Sequence, residues 1–351
     1  MFSSLPFGYM FMSVMGVGTL LSVSSLHWLS IWAGLEINLI GFLPMLVYQK
    51  SVSESQSAVK YFIIQALGSS FLMFGSLLMF NMSFTWDLLT KISNPSLLGF
   101  TVLMGGLCIK LGLFPFHYWL PGVMAGLPWI SCLILATWQK LAPLFLVLSL
   151  LELSQSYGMI LALCLISAGS ALIGGMGGMN QTQIRALLAY SSISHLGWML
   201  FAAIHSEWSM KMYLGIYVLI SVSLFLSLWY SDSGMMKNIN SMKNSGLASL
   251  TIMLLLLSLG GLPPLLGFIS KWLIIVVSSD GPWTSVIFLL ILGSLMSLFY
   301  YLSLFFSMFL ANLKKYSINN KKLGHSLMIA INTFNILGGT LILMISLLSS
   351  V

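Results

Sequence analysis

Residues 105–129 read GGLCIKLGLFPFHYWLPGVMAGLPW, and the fold turns on how this stretch is read. It belongs to an apolar run over 95–126, 32 residues long. As one straight helix that run would measure roughly 48 Å, against the ~30 Å hydrocarbon core of a bilayer. Pro115 interrupts it, and proline removes a backbone donor and clashes with the preceding turn. A break at membrane depth is tolerated only inside protein or beside water. Lys110 stands five residues before the proline. If the chain left the membrane at Pro115, Lys110 would snorkel to the surface. The segment after Pro115 is too apolar for an ordinary loop, which favours a second half-helix over 116–126 and makes Lys110 central.

A second stretch repeats these features in mirrored order. GGLPPLLGFISKW, residues 260–272, breaks a run over 246–277 at Pro263 and Pro264, and Lys271 follows seven residues later. A third lone lysine, Lys140 in LATWQKLAPLF, lies deep in its own apolar run. A charged side chain inside a membrane span is expensive, by roughly 3 kcal/mol on insertion scales, and marks an ion or proton path by default.

The composition agrees. The chain has 351 residues, 58% hydrophobic and 6% charged, where soluble proteins carry about 25% charged residues. The class is all-α and polytopic in the membrane, and no stretch is polar enough for an aqueous domain. Spans are expected at 6–25, 27–48, 58–81, 95–126, 129–149, 157–179, 184–204, 210–230, 246–277, 283–309 and 326–350, eleven in all. The first run has no basic n-region or small-residue cleavage site and reads as a mature helix. Eleven crossings sort the basic residues cleanly. Lys50, Lys60, Arg185, Lys237, Lys243, Lys314, Lys315, Lys321 and Lys322 share the side of the N-terminus, and Lys91 and Lys211 take the other. This is a positive-inside bias. The net charge of +7 therefore reflects topology, and nucleic-acid binding is not expected because no basic cluster alternates with stacking aromatics.

Two broken helices suggest two five-helix units, 1–149 with a break near 110–126 and 157–309 with a break near 260–271, followed by a loop and helix over 310–351. An odd helix count inverts the second unit, the arrangement of many secondary transporters.

Chemistry rests on few residues. Lys140 is too deep to snorkel; it reads as a proton-exchanging amine or as a structural lysine bonded to backbone carbonyls. Glu36, in LEINLI, is the one carboxylate deep in a span. It either pairs with Lys110 or is protonated and bonded to Asn38 or a carbonyl. His195, in AYSSISHLGWML, is a proton relay or a structural core histidine, with Ser191 one turn away on its face. His117 suits the proton-uptake side, whereas His27, His205 and His325 fall at span ends. Cys108, Cys132 and Cys164 lie in separate apolar runs and read as buried small residues, without metal or disulfide spacing. GGMGGMNQTQIR joins two membrane helices and lacks the strand–turn–helix setting of a nucleotide loop; its glycines suit close helix approach.

GGLCIKLGLFPFHYWLPGVMAGLPW, TWQKLAP, GGMGGMNQTQIRALLAYSSISHLGWML and GGLPPLLGFISKW together resemble the NADH dehydrogenase subunit 2 family. These are antiporter-like membrane subunits of respiratory complex I, here in the short form of bilaterian mitochondria. The likeness covers about residues 20–275. It implies eleven helices, an N-terminus on the matrix side of the inner membrane and a C-terminus facing the intermembrane space. It also implies a proton path. Glu36 takes the place of the glutamate that pairs with the first broken-helix lysine, Lys110; Lys140 is the central lysine; His195 lies between the central lysine and Lys271; Lys271 leads to the outlet. It implies that NADH, flavin mononucleotide, iron–sulfur clusters and ubiquinone are held by other subunits, and that this chain binds no cofactor and no metal. The implied partners are other membrane-arm subunits, including neighbouring antiporter-like ones, and lipids such as cardiolipin. Gly122 departs from the family, where many relatives carry a carboxylate. The rival functions are an Mrp-type sodium/proton antiporter subunit and a membrane scaffold that conducts nothing.

Overall fold

The computed structural model describes residues 7–47, 51–83, 86–87, 97–153, 156–231, 246–279, 281–313 and 325–349. Among them the backbone is helical apart from short turns and one isolated bridge between His27 and Asp87. A bilayer leaves a polypeptide little choice, since each backbone polar group needs an internal partner where water is absent. The helices are α1 (Gly8–Ser24), α2 (Trp28–Leu46), α3 (Val52–Ser83), α4 (Leu97–Leu111), α5 (Trp119–Gly126), α6 (Trp129–Ala136) and α7 (Trp138–Leu153). They continue with α8 (Tyr157–Met179), α9 (Ile184–His205), α10 (Glu207–Ser231), α11 (Gly246–Gly260), α12 (Leu266–Ser278), α13 (Thr284–Leu313) and α14 (His325–Ser349). Seven spans, one of them α6 and α7 taken together, are long and apolar enough to cross a membrane as they stand, and shorter apolar helices accompany them.

The expected segments are present, with shifted ends. α3 starts at Val52 rather than 58, and α10 starts at Glu207 rather than 210. Hydropathy sees only the apolar part of a helix, whereas these two extend by polar first turns. Glu54 opens α3, and Glu207 pairs with Lys211 one turn on. The loop lysines 50, 91, 237, 243, 314, 315, 321 and 322 lie outside the described residues.

The two long runs are broken where the prolines stand. α4 ends at Leu111 and α5 begins at Trp119; α11 ends at Gly260 and α12 begins at Leu266. Both first halves finish with the same cap. Gly112 and Gly261 have φ of 75° and 82°, a region that L side chains reach only at a penalty. Each then closes a Schellman motif. Gly112 N donates to Ile109 O at 3.2 Å and Leu113 N to Cys108 O at 3.1 Å. Gly261 N donates to Ser258 O at 3.0 Å and Leu262 N to Leu257 O at 3.3 Å. The bonds following Phe114 and Pro263 are both cis. Gly112-Leu113-Phe114-Pro115 and Gly261-Leu262-Pro263-Pro264 thus share a glycine cap, a leucine and a proline at the same places, a correspondence that alignment on the lysines hides.

The helices group into two compact units, Met1–Leu163 and Cys164–Val351. In the first, α2 packs between α1 and α3, α3 carries α4 and α5, and α7 lies against α1 and α4. In the second, α10 contacts α9, α11 and α12, while α14 covers α11 and α12. Small residues let these backbones meet, as expected where lipid is as apolar as the protein. A Cβ on Gly18 would fall 2.6 Å from Asn38 N, and one on Gly174 would fall 2.6 Å from Ser194 N. Gly177 and Gly178 face the rings of Tyr190 and Tyr300, so the glycine-rich segment serves close approach. Buried serines return their hydroxyls to the carbonyl of the preceding turn, as Ser167 does to Cys164 O at 2.7 Å. Cys108, Cys132 and Cys164 are buried free thiols.

The tightest contact in the second unit is Gly267 of α12 on the Ser258 carbonyl of α11. Any side chain there drives the half-helices apart. We expect Gly267→Val to cost more than the about 1–3 kcal/mol of ordinary overpacking. The expected result is a sharp fall in this chain within its native assembly, read by quantitative immunoblot of native gels.

Candidate functional site: three buried lysines beside helix interruptions

Each of the three lysines stands at a helix interruption. Their exposures are 7% for Lys110, 4% for Lys140 and 7% for Lys271. Lys110 is in the last turn of α4. Its stem runs past Gly68 of α3, where a Cβ would come within 3.1 Å of the lysine Cγ. The α4 terminus is finished by neutral donors: Gln65 Nε2 gives a hydrogen bond to Lys110 O at 3.3 Å, and Trp119 Nε1 gives one to Ile109 O at 3.1 Å.

Lys140 occupies a setting that the proline breaks did not announce. The fifth span, expected as one helix over 129–149, is α6 and α7 with Thr137 between them. Thr137 has φ −112° and ψ −70°, and its N and Oγ1 both donate to Leu133 O, at 3.0 and 2.8 Å. Six residues on, Pro143 lies within α7 and has no N–H to offer the Gln139 carbonyl. The first turn of α7, which carries Lys140, is thus weakly laddered.

Lys110 and Lys140 line one cavity, together with Asn38, Tyr61, Gln65 and Gln139. The volume open to a water centre is ≈ 20 Å³, and a water needs about 10–15 Å³ by that measure and two to four polar partners. The cavity is sized for a water shared by two amines.

Glu36 departs from expectation. Among the described residues no ion pair joins it to Lys110, and its Oε1 is buried without a hydrogen-bond partner. The reason is helical phase. Leu35, Asn38 and Leu39 face the cavity, and Glu36 is turned about 100° away from Leu35 on a 3.6-residue helix. It still acts electrostatically on Lys110 and Tyr61. The alternative, Glu36 bonded to Asn38, is also not realised, because the Asn38 carboxamide pairs with Gln139.

In the second unit Lys271 Nζ donates to Gly260 O at 2.8 Å and Leu259 O at 3.3 Å. Leu259 and Gly260 end α11, so the ammonium sits on the negative end of a half-helix dipole. His195 is bound by a tyrosine from α10: Nδ1 lies 2.8 Å from Tyr213 Oη. The Tyr217 ring lies 5.2 Å from the imidazole, centre to centre. The Tyr213 hydroxyl faces Ser270, the neighbour of Lys271. Tyr300 and Tyr301 face Ser194 and Ser191 without closing a hydrogen bond. Ser191 itself is bonded back to Leu188 O at 2.8 Å. His117 is buried, 3.2 Å from Pro115 O, and stacks near Tyr118. His27, His205 and His325 stand at helix ends.

Sequence reading missed Gln65, Tyr213 and Tyr217. Gln65 is a lone amide in FIIQALG, and the tyrosines recur at i and i+4 in KMYLGIYV, a spacing that puts both on one helix face. Tyr213→Phe deprives the buried His195 Nδ1 of this partner. We expect a stability loss of about 1–3 kcal/mol, seen as earlier thermal inactivation of the assembled protein.

A helical membrane chain with paired proline breaks and buried lysines defines a class, and comparison gives it a family. The family described as NADH:quinone oxidoreductase/Mrp antiporter, transmembrane, matches residues 25–299, and the chain belongs to it. The NADH-ubiquinone oxidoreductase chain 2 of Lumbricus terrestris is 39% identical over 298 residues, 84% of this chain and 85% of that one. A chain in the respiratory complex I of Thermus thermophilus superposes with a TM-score of 0.82 at 26% identity, over 95% of this chain and 78% of that one. A chain of the Mrp complex from Dietzia has a TM-score of 0.77 at 16% identity, over 84% and 59%; that likeness concerns the fold alone.

Proposed function

We propose that this chain is a proton-translocating membrane-arm subunit of NADH:ubiquinone oxidoreductase, with Glu36, Lys110, Lys140, His195 and Lys271 as its proton path. The observation that carries the reading is the placement of three buried lysines at three helix interruptions. An intramembrane amine is expensive to keep and is retained where charge must move. The interruptions supply what a continuous helix lacks, namely free backbone and side-chain dipoles that stabilise a charge where it rests.

The redox groups sit in other subunits: NADH, flavin, iron–sulfur clusters and ubiquinone react there. The chemistry asked of this chain is acid–base only. A change of charge elsewhere in the membrane arm alters the proton occupancy of Lys110 and Lys140. Two ammonium groups on one small cavity repel strongly where the surroundings are apolar, so protonation of one favours loss of a proton from the other. Glu36, close to Lys110 yet not bonded to it, biases which of the two holds the charge. His195, with its Tyr213 partner, relays onward, and Lys271 releases the proton after leaving its carbonyl perch. The Mrp reading rests on the breadth of the family and on a likeness in fold at 16% identity.

The setting is the mitochondrial inner membrane, crossed several times, with the N-terminus in the matrix and the C-terminus in the intermembrane space. Its partners are the other membrane-arm subunits, neighbouring antiporter-like subunits among them, and cardiolipin at the lipid face. The first test is gentle solubilisation of inner membranes, a native gel, and mass spectrometry of the band that oxidises NADH. The expected result is this chain in that band. Migration only in a small assembly without NADH oxidation would remove the reading and direct attention to sodium-dependent exchange.

A further inference from the structure

Asn38 of α2 and Gln139 of α7, 101 residues apart in sequence, form a reciprocal carboxamide pair. Asn38 Nδ2 donates to Gln139 Oε1 at 2.9 Å, and Gln139 Nε2 donates to Asn38 Oδ1 at 3.1 Å. The remaining capacity of Gln139 is also used. Its Nε2 donates to Met15 Sδ at 3.5 Å, and its Oε1 faces Tyr61 Oη at 3.5 Å. Two donors and two acceptors are thus engaged, which leaves the amide one orientation. The pair lies on the wall of the cavity shared by Lys110 and Lys140.

Its position along the chain matters. Gln139 immediately precedes Lys140, in the turn that Thr137 and Pro143 leave weakly laddered. Side-chain bonds to α2 replace the backbone bonds that this turn lacks. A side chain on a loose first turn samples several positions, and a proton transfer tolerates little misplacement.

We propose that the Asn38–Gln139 pair is a positioning clasp for proton transfer between Lys140 and Lys110. It rests on the proton-path reading above. Amides do not titrate near neutral pH, so the clasp holds through every protonation state of the two lysines. It is a fixed frame within which only the ammonium protons move. Gln139 and Asn38 are positioning residues: they act by holding Lys140 on the cavity and carry no proton themselves.

The test uses the assembled, purified complex in proteoliposomes with NADH and ubiquinone. Gln139→Leu keeps bulk and removes the clasp. The expected result is normal assembly on native gels, turnover and pumping reduced about tenfold or more, and a larger solvent deuterium isotope effect on turnover. Transfer between the lysines has then become the slow step. The double swap Asn38→Gln with Gln139→Asn conserves the sum of the side-chain lengths and both amides, and is expected to recover most of the rate. Where Gln139→Leu fails to assemble, Asn38→Ala removes the clasp without added bulk and is read in the same way. Unchanged turnover overturns the proposal. So does reduced turnover with an unchanged isotope effect, the mark of helix glue alone, and so does a swap as impaired as the single variant. Lys140→Met separates the two levels of inference. If it pumps normally the proton path itself falls; if it is dead while Gln139→Leu is normal, only the clasp falls.

Discussion

Lys140→Met is expected to reduce proton pumping at least tenfold and to leave the complex assembled. Methionine matches the length of lysine, needs no hydrogen bond and adapts to irregular spaces. It also removes an ionisable group whose presence in a span costs roughly 3 kcal/mol, which favours assembly of the variant. On the proposed path pumping depends on the Lys140 amine, because the cavity of the variant keeps one amine, Lys110, among amides and a phenol. A single amine cannot be discharged by a neighbour's charge. We expect pumping to fall at least tenfold, measured as dye quenching in proteoliposomes against NADH oxidation in the same sample. Intact pumping in an assembled complex would make the chain a scaffold.

Lys271→Met has a second consequence, set by the partners of its ammonium. Lys271 is bonded to two terminal carbonyls of α11. Removing it takes this partner from both buried carbonyls, at about 1–3 kcal/mol for an unsatisfied buried group. Pumping and thermal stability should fall together. Lys271→Arg splits them. A guanidinium caps the same carbonyls yet stays charged at any accessible pH. We expect Lys271→Arg to regain much of the thermal stability and none of the pumping. Recovery of pumping by arginine would mean that Lys271 works as a fixed charge and never gives up its proton.

The helices and both proline breaks were legible in the sequence, because length and Pro115, Pro263 and Pro264 conflict with a straight span. The lysines were legible because charge is conspicuous in an apolar run. What escaped depends on phase and on distance along the chain. Glu36 and Asn38 are two residues apart, yet only Asn38 faces the cavity, and a list of polar residues in a span does not reveal that. Thr137 breaks the fifth span through its own hydroxyl bond to Leu133 O, with no proline or glycine at the break itself. The Asn38–Gln139 and His195–Tyr213 pairs join different helices, and residue patterns within one span cannot register them. The C-terminal helix had no assigned role from sequence. It lays Gly338 and Gly339 on Leu266 and Pro264, beside the second break.

The two capped half-helices share a glycine, a leucine and a proline in register, but they are finished differently. The end of α4 is closed by an amide and an indole, groups that are indifferent to acidity. The end of α11 is closed by an amine. Withdrawing a proton from the first unit leaves its half-helix as it was; withdrawing one from Lys271 weakens the cap of its own. The two seats are alike in backbone, and the group that closes each decides whether it responds to a proton. One seat is passive and the other loosens when discharged, although both are built on the same backbone cap.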